Sequence, residues 1–372
     1  MTFASDFEAI ESVVRGGDPA FENVPGPTLD QSLLALKTCA EDVDKDAFLL
    51  AAMKVVALAG NGHSRVIPNP AISIVPRRIV IRDGHPAMVE DGRVHRILSV
   101  GGVSCDQLSA AWSELLAGNA ARCLVLSCIM MVWPAALLLA GVGRSDAIQY
   151  LLETGEKRTF PMQDVHPAQP LYPVAETGAV DPISDEHGLP SGSLLEMRSG
   201  LWWWRIADLK ALEGAQVAQG MSQMSEQPDA NVVIDLRGNP GGSFLKAMPL
   251  IDWLRMNWRG TRCAVLVDQY TFSASIVTAA LLAHHLGPRA QLLGSDMGDD
   301  LAFYAEGGTI VLQDTGAYLR HSTARHDWET GQADASTPPE IAEHLVAAGP
   351  LSVMHIERAK QEQAAMAFVR SA

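Results

Sequence analysis

Two strand-loop-helix units stand side by side between residues 231 and 281, reading NVVIDLRGNPGGSF and CAVLVDQYTFSASIVTAAL. Residues 231–236 form a short, apolar, β-branched run closed by Arg-Gly-Asn-Pro-Gly-Gly, the pattern of a buried strand that ends in a loop. Residues 264–267 repeat that pattern, and residues 244–258 between them carry apolar side chains at helical spacing. A strand, helix, strand order with the usual right-handed crossover makes the two strands parallel. Both loops then fall on one sheet edge, beyond the carboxyl ends of the strands, where ligands gather in such sheets.

The residues in those loops suit acyl transfer. Ser273 is followed by Ala274, Ser275 and an apolar run, so its side chain opens a helix. A hydroxyl there lies beside unsatisfied backbone amides and the positive end of the helix dipole, which favour the negative charge that develops when a carbonyl is attacked. Gly241 and Gly242 lack Cβ and let backbone amides approach a substrate oxygen closely, as an oxyanion hole requires. Taken singly, a serine at a helix start is an N-cap and a glycine pair is a tight turn. In consecutive units they offer the two halves of an acyl-transfer site.

The string IDLRGNPGG followed by LVDQYTFSAS resembles the core of the C-terminal processing (tail-specific) serine peptidases, and TFSA is most similar to the branch related to the tricorn protease core. AGNGHSRV resembles the family's early turn carrying a histidine, and DWETGQADASTPPEI resembles its closing segment, in which a glutamate precedes a glycine-rich turn. The resemblance covers residues 61–340 and is strongest at 231–281. It implies Ser273 as nucleophile, His63 as general base, and an oxyanion hole at Gly242 and Ala274 with Gly241 beside them. A serine hydroxyl needs an imidazole to take its proton, and the imidazole needs a polar group to orient it. The resemblance gives that role to Glu329, directly or through a hydroxyl such as Ser64, with Asp327 and Asp299 as competitors.

The chain departs from the family at several positions. GSDMGDD stands where many bacterial members carry a lysine base, which argues against a Ser-Lys dyad. Gly62 precedes His63 where a hydroxyl residue is common, and Ile276 follows Ser275 where an acid is common. The closing motif reads Pro339-Glu340.

The implied fold is α/β, with a crotonase-like, ClpP-like spiral ββα core at residues 176–372. An N-terminal helical cap at 1–70 precedes it. Between them lies a mixed α/β middle domain at 71–175, at the position where the family can hold a PDZ module; no PDZ carboxylate-binding loop is read there. The implied reaction is hydrolysis of a peptide amide through an acyl-enzyme. Two other readings stay open: a specialised hydrolase or acyl-transfer enzyme acting on a small amide or ester, and a non-catalytic binding protein that kept the fold.

Composition excludes other classes. At 372 residues and 48% hydrophobic the chain can bury a sizeable core. A formal charge of −15 without a basic cluster argues against nucleic acid and against anionic lipid. The first residues, MTFASDFEAIESVVRGGD, lack the pattern of a secretory signal, and five cysteines without CxxC spacing fit reduced thiols, so a cytoplasmic location is expected. Cys123 and Cys128 read as buried thiols, and the histidines make no zinc pattern, so neither metal nor other cofactor is expected. The expected partner is the substrate, with a homo-oligomer left open. Residues 124–143 hold no charge and are long enough to span a bilayer, but Pro134 interrupts them, which favours a kinked helix pair buried in the protein over a membrane span.

Along the chain, amphipathic helices are predicted at 6–14, 29–37 and 46–58, a hairpin at 147–162 turned at Thr154-Gly155, and a linker or surface loop at 163–192. Trp202, Trp203 and Trp204 read as strand residues packed into the core rather than as a pocket wall. No phosphate-cradling loop appears, and Gly141-Val142-Gly143 is too short for a dinucleotide fingerprint.

Overall fold

The computed structural model describes residues 2–68, 71–90, 93–164 and 193–371. The chain divides into two compact units, one formed by residues 1–175, 303–326 and 334–338, the other by residues 176–302, 327–333 and 339–372. Most of the predicted linker, residues 165–192, lies outside the described residues.

The second unit is built on a six-stranded sheet in the order Leu194–Arg198, Leu201–Arg205, Val232–Asp235, Cys263–Val267, Ala290–Gly294, Val353–His355. Only the first pair is antiparallel; the others run parallel. VVID and CAVLV are buried at every position, as parallel strands covered on both faces must be. Helix Met248–Met256 connects those two strands, which pair in parallel with Val232 opposite Cys263, as expected from the sequence. The C-terminal helix Gln361–Arg370 covers one face, its Ala365 and Val369 packing with Trp203, Val233, Ala264, Leu266 and Leu293. Successive strand residues point to opposite faces. Trp204 accordingly meets Gly220 of helix Gly214–Met224, where a Cβ would stand 2.5 Å from the indole. All three tryptophans are buried, in line with the core reading.

In the first unit the predicted helices are Ala4–Ser12, Gly26–Glu41 and Lys45–Ala57. An antiparallel meander follows: Ile79–Arg82, His85–Glu90, Arg93–Val100, Ala147–Leu152, Lys157–Pro161. Its first turn is Asp83-Gly84, both at positive φ, the two-residue hairpin geometry that matches strand twist. The predicted hairpin is its last pair, with Gly155 at φ 82°. The charge-free stretch folds as two helices, Ala120–Met130 and Pro134–Leu139, because proline is tolerated in a first turn but not inside a helix. Among the described residues no helix is long and apolar enough to cross a membrane.

Candidate active site

Strand Val232–Asp235 runs into the glycine loop and strand Cys263–Val267 into the serine turn, and the two loops touch. Phe272 N–H donates to Asn239 C=O at 3.1 Å. A Cβ on Gly241, at φ 102°, would stand 2.7 Å from the Phe272 carbonyl and 2.8 Å from Ser273 Cβ, so only glycine fits against the serine.

Ser273 is at φ 56°, ψ −127°, a conformation that L-residues rarely adopt and that carries a strain of roughly 1–3 kcal/mol. Its side chain makes no capping bond to the helix it opens, Ala274–Leu286. Ser275 does the structural work: its Oγ accepts from Phe272 N–H at 2.8 Å and lies 2.8 Å from the carbonyls of Asn239 and Phe272. The N-cap expectation for Ser273 is not met, and Ser275, inside the helix, ties its first turn back to the loop that precedes it. Ser273 is thus a half-buried serine on a strained strand-to-helix turn, with its neighbour doing the anchoring.

The oxyanion candidates divide. The Gly241 amide is engaged, donating to Asn239 Oδ1 at 2.9 Å, so this glycine serves by lacking a side chain rather than by its N–H. Gly242, at φ 137°, leaves no space for a side chain, since a Cβ would meet Lys210 N at 2.5 Å. Ala274 is the first residue of its helix, where an amide has no partner within the helix. Glu329 is exposed, following strand Ala324–Asp327, and its carbonyl accepts from Gly349 N–H at 3.0 Å. Asp327 is buried and accepts from Thr330 N–H at 2.9 Å, which ties its carboxylate to that turn.

His63 belongs to the first unit, in the turn after helix Lys45–Ala57. Its ring stacks on Phe303 at 5.2 Å, and Phe303 stacks on buried His326 at 4.9 Å. Glu306, a non-glycine residue at φ 59°, brings Oε1 to 3.5 Å from His326 Nε2. The His326 hydrogen bond, and then the charges of His326 and His63, hold the Glu306 carboxyl below its usual range against partial burial. The sequence reading missed Glu306, Phe303 and His326, since nothing local marks residues 240 or more positions from His63 as its neighbours. Ser64 Oγ donates to Asp18 Oδ2 at 2.5 Å and accepts from Asn61 Nδ2 at 2.9 Å, so its proton is committed to Asp18. Gly62 has a steric reason: a Cβ there would meet Arg122 Cγ at 3.0 Å, and a hydroxymethyl group needs still more room.

Gly298, within GSDMGDD, donates to Thr271 C=O at 2.9 Å, and a Cβ there would meet Gln269 O at 2.7 Å, so this segment is packed tightly against the serine turn. Among the described residues, no three His, Cys, Asp or Glu side chains are grouped to hold a metal ion.

Fold and site together define an α/β protein whose parallel sheet presents a glycine loop and a strained serine turn at one edge. This is the fold of CPAF. The structure of mature CPAF aligns with 86% of this chain and 89% of its own at 12% identity and a TM-score of 0.55, and a serine-to-alanine variant of CPAF aligns over the same shares at 11% identity and 0.55. The photosystem II D1 C-terminal processing protease aligns over 95% of this chain and 93% of its own at 15% identity, with a TM-score of 0.43. No protein-family model matches the chain. No curated protein sequence matches it.

Proposed function

We propose that the chain is a serine peptidase that hydrolyses peptide amides through an acyl-enzyme. The observation that carries this reading is the strained backbone of Ser273, packed against Gly241 while Ser275 makes the anchoring bonds. A folding chain gains nothing from that strain, and strain of this kind concentrates where a side chain must be presented for chemistry.

In the proposed reaction Ser273 Oγ bonds to the scissile carbonyl carbon and its proton passes to His63. The oxyanion is met by the amides of Gly242 and Ala274, a contribution of roughly 3–4 kcal/mol per donor in comparable sites. The C–N bond then breaks, the leaving amine takes the proton from the imidazolium, and water resolves the ester by the same steps in reverse. Glu329 is assigned by resemblance to orient His63. The core is assigned to the crotonase-like, spiral type and to the tricorn-core-related branch. The five cysteines, all free thiols, suit a reducing compartment.

A fluorophosphonate probe should label the protein at Ser273, and Ser273→Ala should abolish both labelling and turnover of a panel of short peptides. Labelling that persists unchanged in Ser273→Ala removes the nucleophile. Turnover of short esters with no peptide cleaved would instead favour a specialised esterase.

A further inference from the structure

We infer that Asp268 holds the glycine loop and the serine turn in register, and that the C-terminal segment holds Asp268 in turn. This rests on the proposed role of Ser273.

The two loops grow from neighbouring strands whose backbone ladder ends at the bond from Leu236 N–H to Leu266 C=O, 2.9 Å. Beyond that point their relative position depends on other contacts. Asp268, 4% exposed, is the first residue after strand Cys263–Val267. Its Oδ1 accepts from Tyr270 N–H at 3.0 Å and Thr271 N–H at 3.1 Å in its own turn, and from Gly238 N–H at 3.0 Å in the other loop. The Thr271 hydroxyl closes the arrangement, accepting from Asp268 N–H and donating to Leu236 C=O, both at 3.0 Å. One ionised oxygen thus gathers amides from both halves of the site, and bonds to a charged acceptor are the strong ones.

The other oxygen, Oδ2, accepts from Arg358 Nη1 at 3.3 Å, in a part-buried pair. Arg358 stands between strand Val353–His355 and helix Gln361–Arg370. The first residues of that helix reach the root of the other loop: Arg237, next to Gly238, donates to Gln361 Oε1 at 3.1 Å and Glu362 Oε1 at 3.3 Å while gripping Asp235 with two bonds at 2.8 and 2.7 Å. The roots of both loops therefore lie on one polar strip, part-buried, supplied from the C-terminal segment. The nucleophile comes from one loop and the Gly242 amide from the other, so a shift between them of about 1 Å lowers reaction at the serine by roughly 100-fold.

The test compares wild type with Asp268→Ala, Asp268→Asn and Arg358→Met, reading the fluorophosphonate inactivation rate of Ser273 and amide hydrogen exchange in residues 238–242 and 270–275. Asp268→Ala should slow inactivation by at least about 10-fold and raise exchange in both segments together, leaving 232–235 protected. Asp268→Asn keeps an oxygen that can accept the same three N–H groups but loses the charge opposite Arg358, so it should be slowed less than Asp268→Ala. Arg358→Met, which removes the same pair from its other side, should likewise fall between wild type and Asp268→Ala. If Asp268→Ala does not fold, Asp268→Ser, too short to reach all three amides, carries the same expectation. Wild-type inactivation and exchange in a folded Asp268→Ala or Asp268→Ser overturns the inference, as does Asp268→Asn inactivation as slow as Asp268→Ala with exchange unchanged. If wild type itself is not labelled, the peptidase reading fails while the exchange arm still decides the clamp.

Discussion

Ser273 and Ser275 are two positions apart and do unlike things. The second spends its hydroxyl on three backbone groups, and so leaves the first unburdened in a backbone conformation that costs energy. Both were visible in the sequence as helix-start serines; which one anchors and which one is presented was not, because φ at a single residue is set by what packs around it. Glu306 is the clearer omission. Its carboxyl lies below the ordinary range because of His326 first and His63 after. A group lowered on folding contributes stability that is present above its unfolded value and lost as pH falls through the folded one. With the Glu306 side chain 51% exposed, solvent screening limits this to less than about 1 kcal/mol. The melting temperature of Glu306→Gln should therefore trail wild type slightly near neutral pH, with the gap closing as pH falls through the lowered value; a gap that widens in acid would contradict the pairing.

At the scale of elements, the central strands were legible because apolar, β-branched runs closed by Gly and Pro are local signals. The C-terminal strand and helix were not, since their place beside Ala290–Gly294 and over Val233 and Leu266 depends on contacts far apart in sequence. One residue shows how such contacts are secured. Asn231, at the entry to strand Val232–Asp235, accepts from Thr261 N–H at 2.8 Å and Arg262 N–H at 2.9 Å, and donates to Val369 C=O at 2.6 Å. It fastens the start of two strands and the end of the C-terminal helix at once. Asn231→Ala should cost about 1–3 kcal/mol in urea unfolding, the range for stranding partly buried polar groups. The labelling rate of the folded protein should stay unchanged, since this knot sits at the sheet edge opposite the serine turn.

For the molecule as a whole, charge is the dominant feature that composition discloses. With a net charge of −15 and an isoelectric point near 5.1, solubility should pass through a minimum near pH 5, where self-repulsion vanishes. Unfolding should come later, at lower pH. Burial pushes the Asp235 carboxyl up, but Arg237 above all, with Arg205 and Arg358, pulls it below the ordinary range. Its stabilisation is therefore retained until pH falls through that lowered value. Light scattering and circular dichroism followed from pH 7 to pH 3 should show turbidity first and loss of structure second; the reverse order would mean that the buried ion network does not resist acid.

The order of elements in the core, the pair of loops, Ser273 and the glycine residues beside it follow from the sequence alone, because hydrophobic period, chain-breaking residues and backbone freedom are properties of short stretches. Tertiary structure alone decided that Gly241 contributes space rather than an amide, that Arg122 crowds the Cβ position at Gly62, that His63 shares a stack with Phe303 and His326, and that Asp268 joins the two loops. Each of these depends on which distant side chain reaches a given ångström of space, and packing settles that only when the whole chain has folded.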